Sequence, residues 1–154
     1  QTYGRVMSVA RIHDSLYQSE SLEEVDIGQT IERLCQDLAG MAGEKHRLEV
    51  SAAPEIMMPY RQAVGLALIA TELITNALKY AYKPEERGAV DVSVGRKDDG
   101  DGVCLVVADQ GRGLPDGWGE RSGLGMKLIR AMLAQIDGEM QVEQREGARF
   151  TVCA

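Results

Sequence analysis

Residues 67–82, ALIATELITNALKYAY, read as a long helix crossed by a polar stripe. Ile69, Leu73, Ile74, Ala77, Leu78 and Ala81 recur at three- and four-residue spacing and give it a wide packing face. Glu72, Asn76, Lys79 and Tyr80 fall at i, i+4, i+7 and i+8, so a carboxylate, an amide and an ammonium occupy adjacent turns. Asparagine is a poor helix former and costly to bury without a partner, so Asn76 in so apolar a helix points to a ligand. Snorkelling of Glu72 and Lys79 is the plainer account of the two charges. The pattern extends from Ala63 to Tyr82, follows Pro54 and Pro59, and is closed by Lys83-Pro84.

Downstream, residues 89–96 (AVDVSVGR) alternate and 103–108 (VCLVVA) run apolar across KDDGDG, which predicts an antiparallel hairpin. The acidic turn lacks calcium-loop ligand spacing and is read as solvated. Residues 109–123 are glycine-rich, Leu124 to Ile136 is helical, and 139–144 with 148–153 form a last hairpin around Glu146-Gly147. Upstream, Leu48, Val50 and Ala52 alternate as a short strand. Asp26 reads as the cap of a helix with Ile27, Ile31, Leu34 and Leu38 on one stripe, stopping near Gly40 and Gly43. Val6, Val9, Ile12 and Leu16 mark an amphipathic helix over residues 3–19. The expected fold is an α/β two-layer sandwich: a mixed, largely antiparallel sheet with helices covering one face.

At 154 residues, with 44% hydrophobic and 27% charged residues, the chain has the size and composition of an ordered domain. A net charge of -7 and the lack of a basic stripe exclude nucleic acid as the expected partner. Cys35, Cys104 and Cys153 are odd in number and widely spaced, which reads as three free, small hydrophobes in a reducing compartment. No run is read as a membrane span, so no membrane contact and a cytoplasmic location are expected. Gln1 at the head of a helical pattern suggests a piece of something longer.

The polar stripe suits a metal nucleotide. The Asn76 carbonyl is a hard oxygen ligand for Mg²⁺, Glu72 can orient or deprotonate an attacking group, and Lys79 can neutralise phosphate charge. Asp109, ending a buried strand run, can accept from an exocyclic amine such as adenine N6. Gly111 and Gly113 let backbone approach a flat base, although an ordinary turn explains them as well. Gly123 and Gly125 open a helix whose N–H groups favour phosphate, with Ser122 as a simple cap the alternative. Neither segment has the P-loop or dinucleotide-binding pattern.

Together, residues 72–81 (ELITNALKYA), 109–115 (DQGRGLP) and 123–128 (GLGMKL) resemble the N, G1 and G2 boxes of the ATP-binding domain of sensor histidine kinases, DNA gyrase, Hsp90 and MutL. Residues 10–17 (ARIHDSLY) are similar to the second helix of a HisKA_2 or HWE type dimerisation region. The resemblance implies a Bergerat (GHKL) fold holding ATP and Mg²⁺, with residues 1–22 a remnant of the dimerisation and phosphoacceptor region and 23–154 the catalytic domain. It implies Asn76 as the Mg²⁺ ligand, Glu72 as the catalytic residue and Lys79 and Tyr80 near phosphates or ribose. It further implies Asp109 on adenine N6, Gly111 and Gly113 around the base, Gly123, Leu124 and Gly125 on the phosphate side, and Thr151 near the base.

The implied activity moves the γ-phosphoryl of ATP to a His outside residues 1–154, then to an Asp of a response-regulator receiver domain, in a chain that dimerises through that region. A serine kinase of the anti-sigma factor type and a nucleotide-gated interaction module without catalysis are the competing readings. Residues 116–122 make a short lid, in which Trp118 is a candidate to close over nucleotide. His13 and His46 are not expected to accept phosphate, and Met126, Met132 and Met140 read as core filler.

Overall fold

The computed structural model describes residues 24–98, 100, 102–114, 124–144 and 146–154. The helix expected over 3–19 with His13, and the lid with Trp118 and Gly123, lie outside the described residues. In chain order the elements are β1 (Glu24–Asp26), α1 (Ile27–Ala39), β2 (His46–Ala52), β3 (Met57–Pro59) and α2 (Tyr60–Tyr80). They continue with β4 (Gly88–Arg96), β5 (Val103–Asp109), α3 (Leu124–Ile136), β6 (Glu139–Gln144) and β7 (Ala148–Cys153).

Five strands form one sheet in the order β2-β4-β5-β7-β6. The β2–β4 pairing is parallel and the other three are antiparallel, so the mixed, largely antiparallel sheet is as expected. Alternation sets its two faces. Val90, Val92 and Val94 of β4 and Val103, Leu105 and Val107 of β5 are buried in the core with the helices. The residues between them, such as Asp91 and Ser93, turn to the other, polar face.

α1 begins where Asp26, in extended conformation, accepts from the Gln29 amide at 3.3 Å, while the Thr30 hydroxyl donates to the Asp26 carbonyl at 3.0 Å. α2 starts on Pro59, three residues earlier than expected, because the φ of -57° and ψ of 143° there deliver an extended chain directly into helix. It buries Leu66, Ile69, Leu73 and Ile74 to 2% exposure or less. Each such side chain is worth about 1.5–3 kcal/mol of transfer free energy. Gly65 lets α3 close on α2, since a Cβ there would meet the Ile136 side chain at 2.5 Å. By length and composition α2 could cross a membrane; instead it is the central helix of the core, mostly buried.

Two expectations change. β1 and β3 pair antiparallel as a separate two-stranded ribbon, Val25 opposite Met58, which the periodicity did not show because each strand has three residues. The cysteines are not all free: Cys104 and Cys153 form a disulfide, with Cα atoms 4.1 Å apart, and Cys35 alone stays a buried thiol. Val103 and Ala154 exchange both backbone hydrogen bonds, at 2.8 and 2.9 Å. The adjacent facing pair, Cys104 and Cys153, therefore occupies the close, non-hydrogen-bonded position of the antiparallel ladder. Widely spaced in sequence, the two are brought together by the β5–β7 register.

Candidate functional site

The polar stripe of α2 emerges from the core as the helix advances. Glu72 is 2% exposed, Asn76 and Lys79 are half-buried, and Tyr80 is 55% exposed. One helix thus carries a carboxylate held in the interior, an amide at the boundary and an aromatic ring in solvent. At 1.5 Å per residue, Asn76 lies about 7.5 Å along the axis from Ala81, where the glycine segment docks.

That docking is backbone on backbone. The Arg112 amide donates to the Ala81 carbonyl at 3.0 Å. A Cβ on Gly111 would overlap the same carbonyl oxygen, so only glycine permits the approach. Asp109 closes β5 opposite Val90, on the helix-covered face. Its Oδ1 accepts from the Gly111 amide at 2.9 Å and the Ala148 amide at 3.3 Å, which fixes the carboxyl plane. Gly113 has φ +76°, a left-handed conformation that favours glycine, and a Cβ there would make only ordinary contacts at 3.8 Å with Gln144 and Gly147.

The expected residues thus fall into distinct groups. Asn76, Lys79 and Tyr80 on α2 join Asp109 and Gly111 through the Ala81 contact. Gly125 is buried in the first turn of α3, Leu124 opens that helix, and Gly123 lies outside the described residues. Thr151 does not join them. It is flanked by buried Phe150 and Val152, so alternation turns it to the polar face, opposite Val106. Ala148 is the β7 residue that reaches Asp109.

Sequence reasoning missed two residues here. Gly147, at φ +114°, packs so closely on Asp109 that a Cβ would overlap the Asp109 carbonyl. Tyr82, just past α2 and 7% exposed, donates its hydroxyl to the Ala89 carbonyl at 2.8 Å and accepts from the Gln110 amide at 2.9 Å. The aromatic ring covers Gly88, where a Cβ would overlap it, and lies 5.7 Å from the His46 ring, whose Nε2 is 3.1 Å from the Lys83 carbonyl. The signals were faint: one Glu-Gly turn for Gly147 and one aromatic after the helical run for Tyr82. A cavity of about 460 Å³ on the polar side, lined by Lys45, Arg47, Arg87, Glu44, Glu49 and Asp91, mixes both charges and borders Tyr82 and Gln110.

The family described as histidine kinase-, DNA gyrase B- and HSP90-like ATPase matches residues 61–154, and the HisKA_2 histidine kinase family matches 1–42. The sensor histidine kinase PdtaS of Mycobacterium tuberculosis is 29% identical over 141 residues, 88% of this chain and 28% of its own length. The nitrate/nitrite sensor protein NarX of Escherichia coli is 30% identical over 125 residues, 81% of this chain and 20% of its own. The chain therefore spans under a third of the length of these relatives. Among solved structures, the histidine kinase domain of the Erythrobacter litoralis EL346 blue-light activated histidine kinase covers 97% of this chain and 70% of its own at TM-score 0.81 and 18% identity, a likeness of fold. The ATP binding domain of PrrB from Mycobacterium tuberculosis covers 84% and 93% at TM-score 0.59 and 26% identity. The chain belongs to the histidine kinase-, DNA gyrase B- and HSP90-like ATPase family, as a sensor-kinase catalytic domain carrying a HisKA_2 segment.

Proposed function

We propose that this domain binds ATP with Mg²⁺ between α2 and the Asp109–Leu114 segment, and supplies its γ-phosphoryl to a histidine of the dimerisation region. The phosphoryl group then passes to an aspartate of a response-regulator receiver domain. The whole protein acts as a homodimer through that region.

The observation that carries the reading is the pinned Asp109 carboxylate. Both backbone hydrogen bonds go to Oδ1, which leaves the other oxygen to accept from the amine of adenine, a donor that guanine's carbonyl cannot offer. The residues present also fit the metal nucleotide. Among the described residues no three His, Cys, Asp or Glu side chains converge as a metal cage. Mg²⁺ would be held as it commonly is beside a triphosphate, by the Asn76 amide oxygen with phosphate oxygens and water. Bound there, the ion would offset charge on the phosphates. Lys79, a half-buried mobile cation beside Asn76, adds to that neutralisation. Glu72, buried one turn earlier, orients or takes the proton of the attacking nitrogen. Such a transfer rests chiefly on positioning and charge stabilisation.

Titration with ATP and GTP, with and without Mg²⁺, tests this reading. The native chain should bind ATP in preference to GTP. Asp109→Asn presents an amide NH₂ to the adenine amine and should weaken ATP binding by about 10- to 100-fold while narrowing the preference. Asn76→Asp adds a negative charge beside the phosphates, so binding should depend more steeply on Mg²⁺. A folded chain that binds neither nucleotide would sink the proposal.

A further inference from the structure

We propose that Tyr82 is a positioning residue for adenine recognition, a role that rests on the nucleotide-site reading above. Its hydroxyl is a two-way clamp. It accepts from the Gln110 amide at 2.9 Å and donates to the Ala89 carbonyl at 2.8 Å, so the first residue after Asp109 is tied to the start of β4 through a residue two positions past the end of α2. The side chain is closely packed: it is 7% exposed, lies flat against Gly88 where a Cβ would overlap it, and has the His46 ring centroid 5.7 Å from its own.

The second tie, from the Arg112 amide to the Ala81 carbonyl at 3.0 Å, holds the far side of Gly111. Gln110 and Arg112 therefore bracket Gly111, whose amide orients the Asp109 carboxylate at 2.9 Å. Without the phenol oxygen, the Gln110 amide loses its buried partner, the bracket keeps only its Arg112 side, and the Gly111 amide can drift from Oδ1. Tyr82 touches no nucleotide in this scheme; it acts through Gly111 on the carboxylate that reads the base. The cost should fall on adenine and not on the phosphates, which lie with Asn76 and Lys79.

The test compares the full native chain with Tyr82→Phe, which keeps the ring against Gly88 and His46 and removes only the oxygen. ATP affinity should fall by about 5- to 20-fold and the ATP-over-GTP preference should shrink, while competition by inorganic tripolyphosphate stays within about two-fold. In an Asp109→Asn background the same change should cost less than about two-fold, because the adenine contact is already gone and the two effects are not additive. Equal losses in both backgrounds, or unchanged ATP affinity in Tyr82→Phe, would overturn the role while leaving the nucleotide site standing. A native chain that binds no ATP overturns both. Should Tyr82→Phe fail to fold, hydrogen exchange of the native chain decides: the Gln110 amide should be protected, and more so with ATP. Exchange at the rate of an open loop, with or without ATP, counts against the clamp.

Discussion

Cys35 shows how burial alone sets a residue's chemistry. Enclosed in α1 against the core, its thiol is pushed up from 9.0 to about 12, by desolvation first and by the negative charge of Glu32 second. The neutral thiol is the folded form, so the stability this group adds is complete below pH 9.0 and is lost as pH rises toward about 12. Alkylation read by mass spectrometry should leave Cys35 unmodified in the native chain at pH 8 and label it fully in denaturant. A native chain labelled at Cys35 as fast as the denatured one contradicts this burial. Gly111 makes the opposite point, that a missing side chain can be the functional group. A methyl there meets a backbone carbonyl that cannot step aside, so Gly111→Ala should cost about 1–3 kcal/mol in urea unfolding and weaken ATP binding along with it. Asn76, Asp109 and Gly111 stand out in the sequence because each is an unusual residue for its local pattern. Tyr82 and Gly147 were not, because their roles are contacts across 28 and 38 positions that no local pattern encodes.

At the scale of elements, long periodic segments announced themselves. The α3 bounds and both hairpins follow directly from apolar spacing and turn residues, since helix and strand periods differ enough to be told apart over six or more residues. β1 and β3 carry only EVD and MMP, too short for a period of two to register. They exist because the Ile27 amide donates to the Ile56 carbonyl at 2.9 Å and α1 and α2 hold the ribbon from both sides. The parallel β2–β4 pairing was equally hidden, because alternation names the buried face of a strand and is silent about its direction. α2 is the element on which the rest depends: its apolar face fills the core, its boundary residues carry the candidate polar stripe, and the residue just past its end anchors the glycine segment.

For the whole molecule, the Cys104–Cys153 bond has the widest reach. It spans 49 positions, and within that loop lie Asp109, Gly111 and all of α3. On a chain-entropy estimate a closed loop of that length stabilises the fold by about 4 kcal/mol. Reduction, or Cys104→Ser with Cys153→Ser, should lower the urea midpoint accordingly; an unchanged midpoint would mean that the bond adds nothing beyond the β5–β7 ladder. The sequence could not reveal this pair, since spacing carries no information about which strands become neighbours. The order β2-β4-β5-β7-β6 also leaves an outer strand at each end of the sheet among the described residues. Arg47 and Glu49 stand exposed on one and Glu139 and Glu143 on the other. A second molecule approaching to extend the sheet would have to bury those charges against its own, so the borders of this sheet discourage fibre growth and help keep the protein in solution.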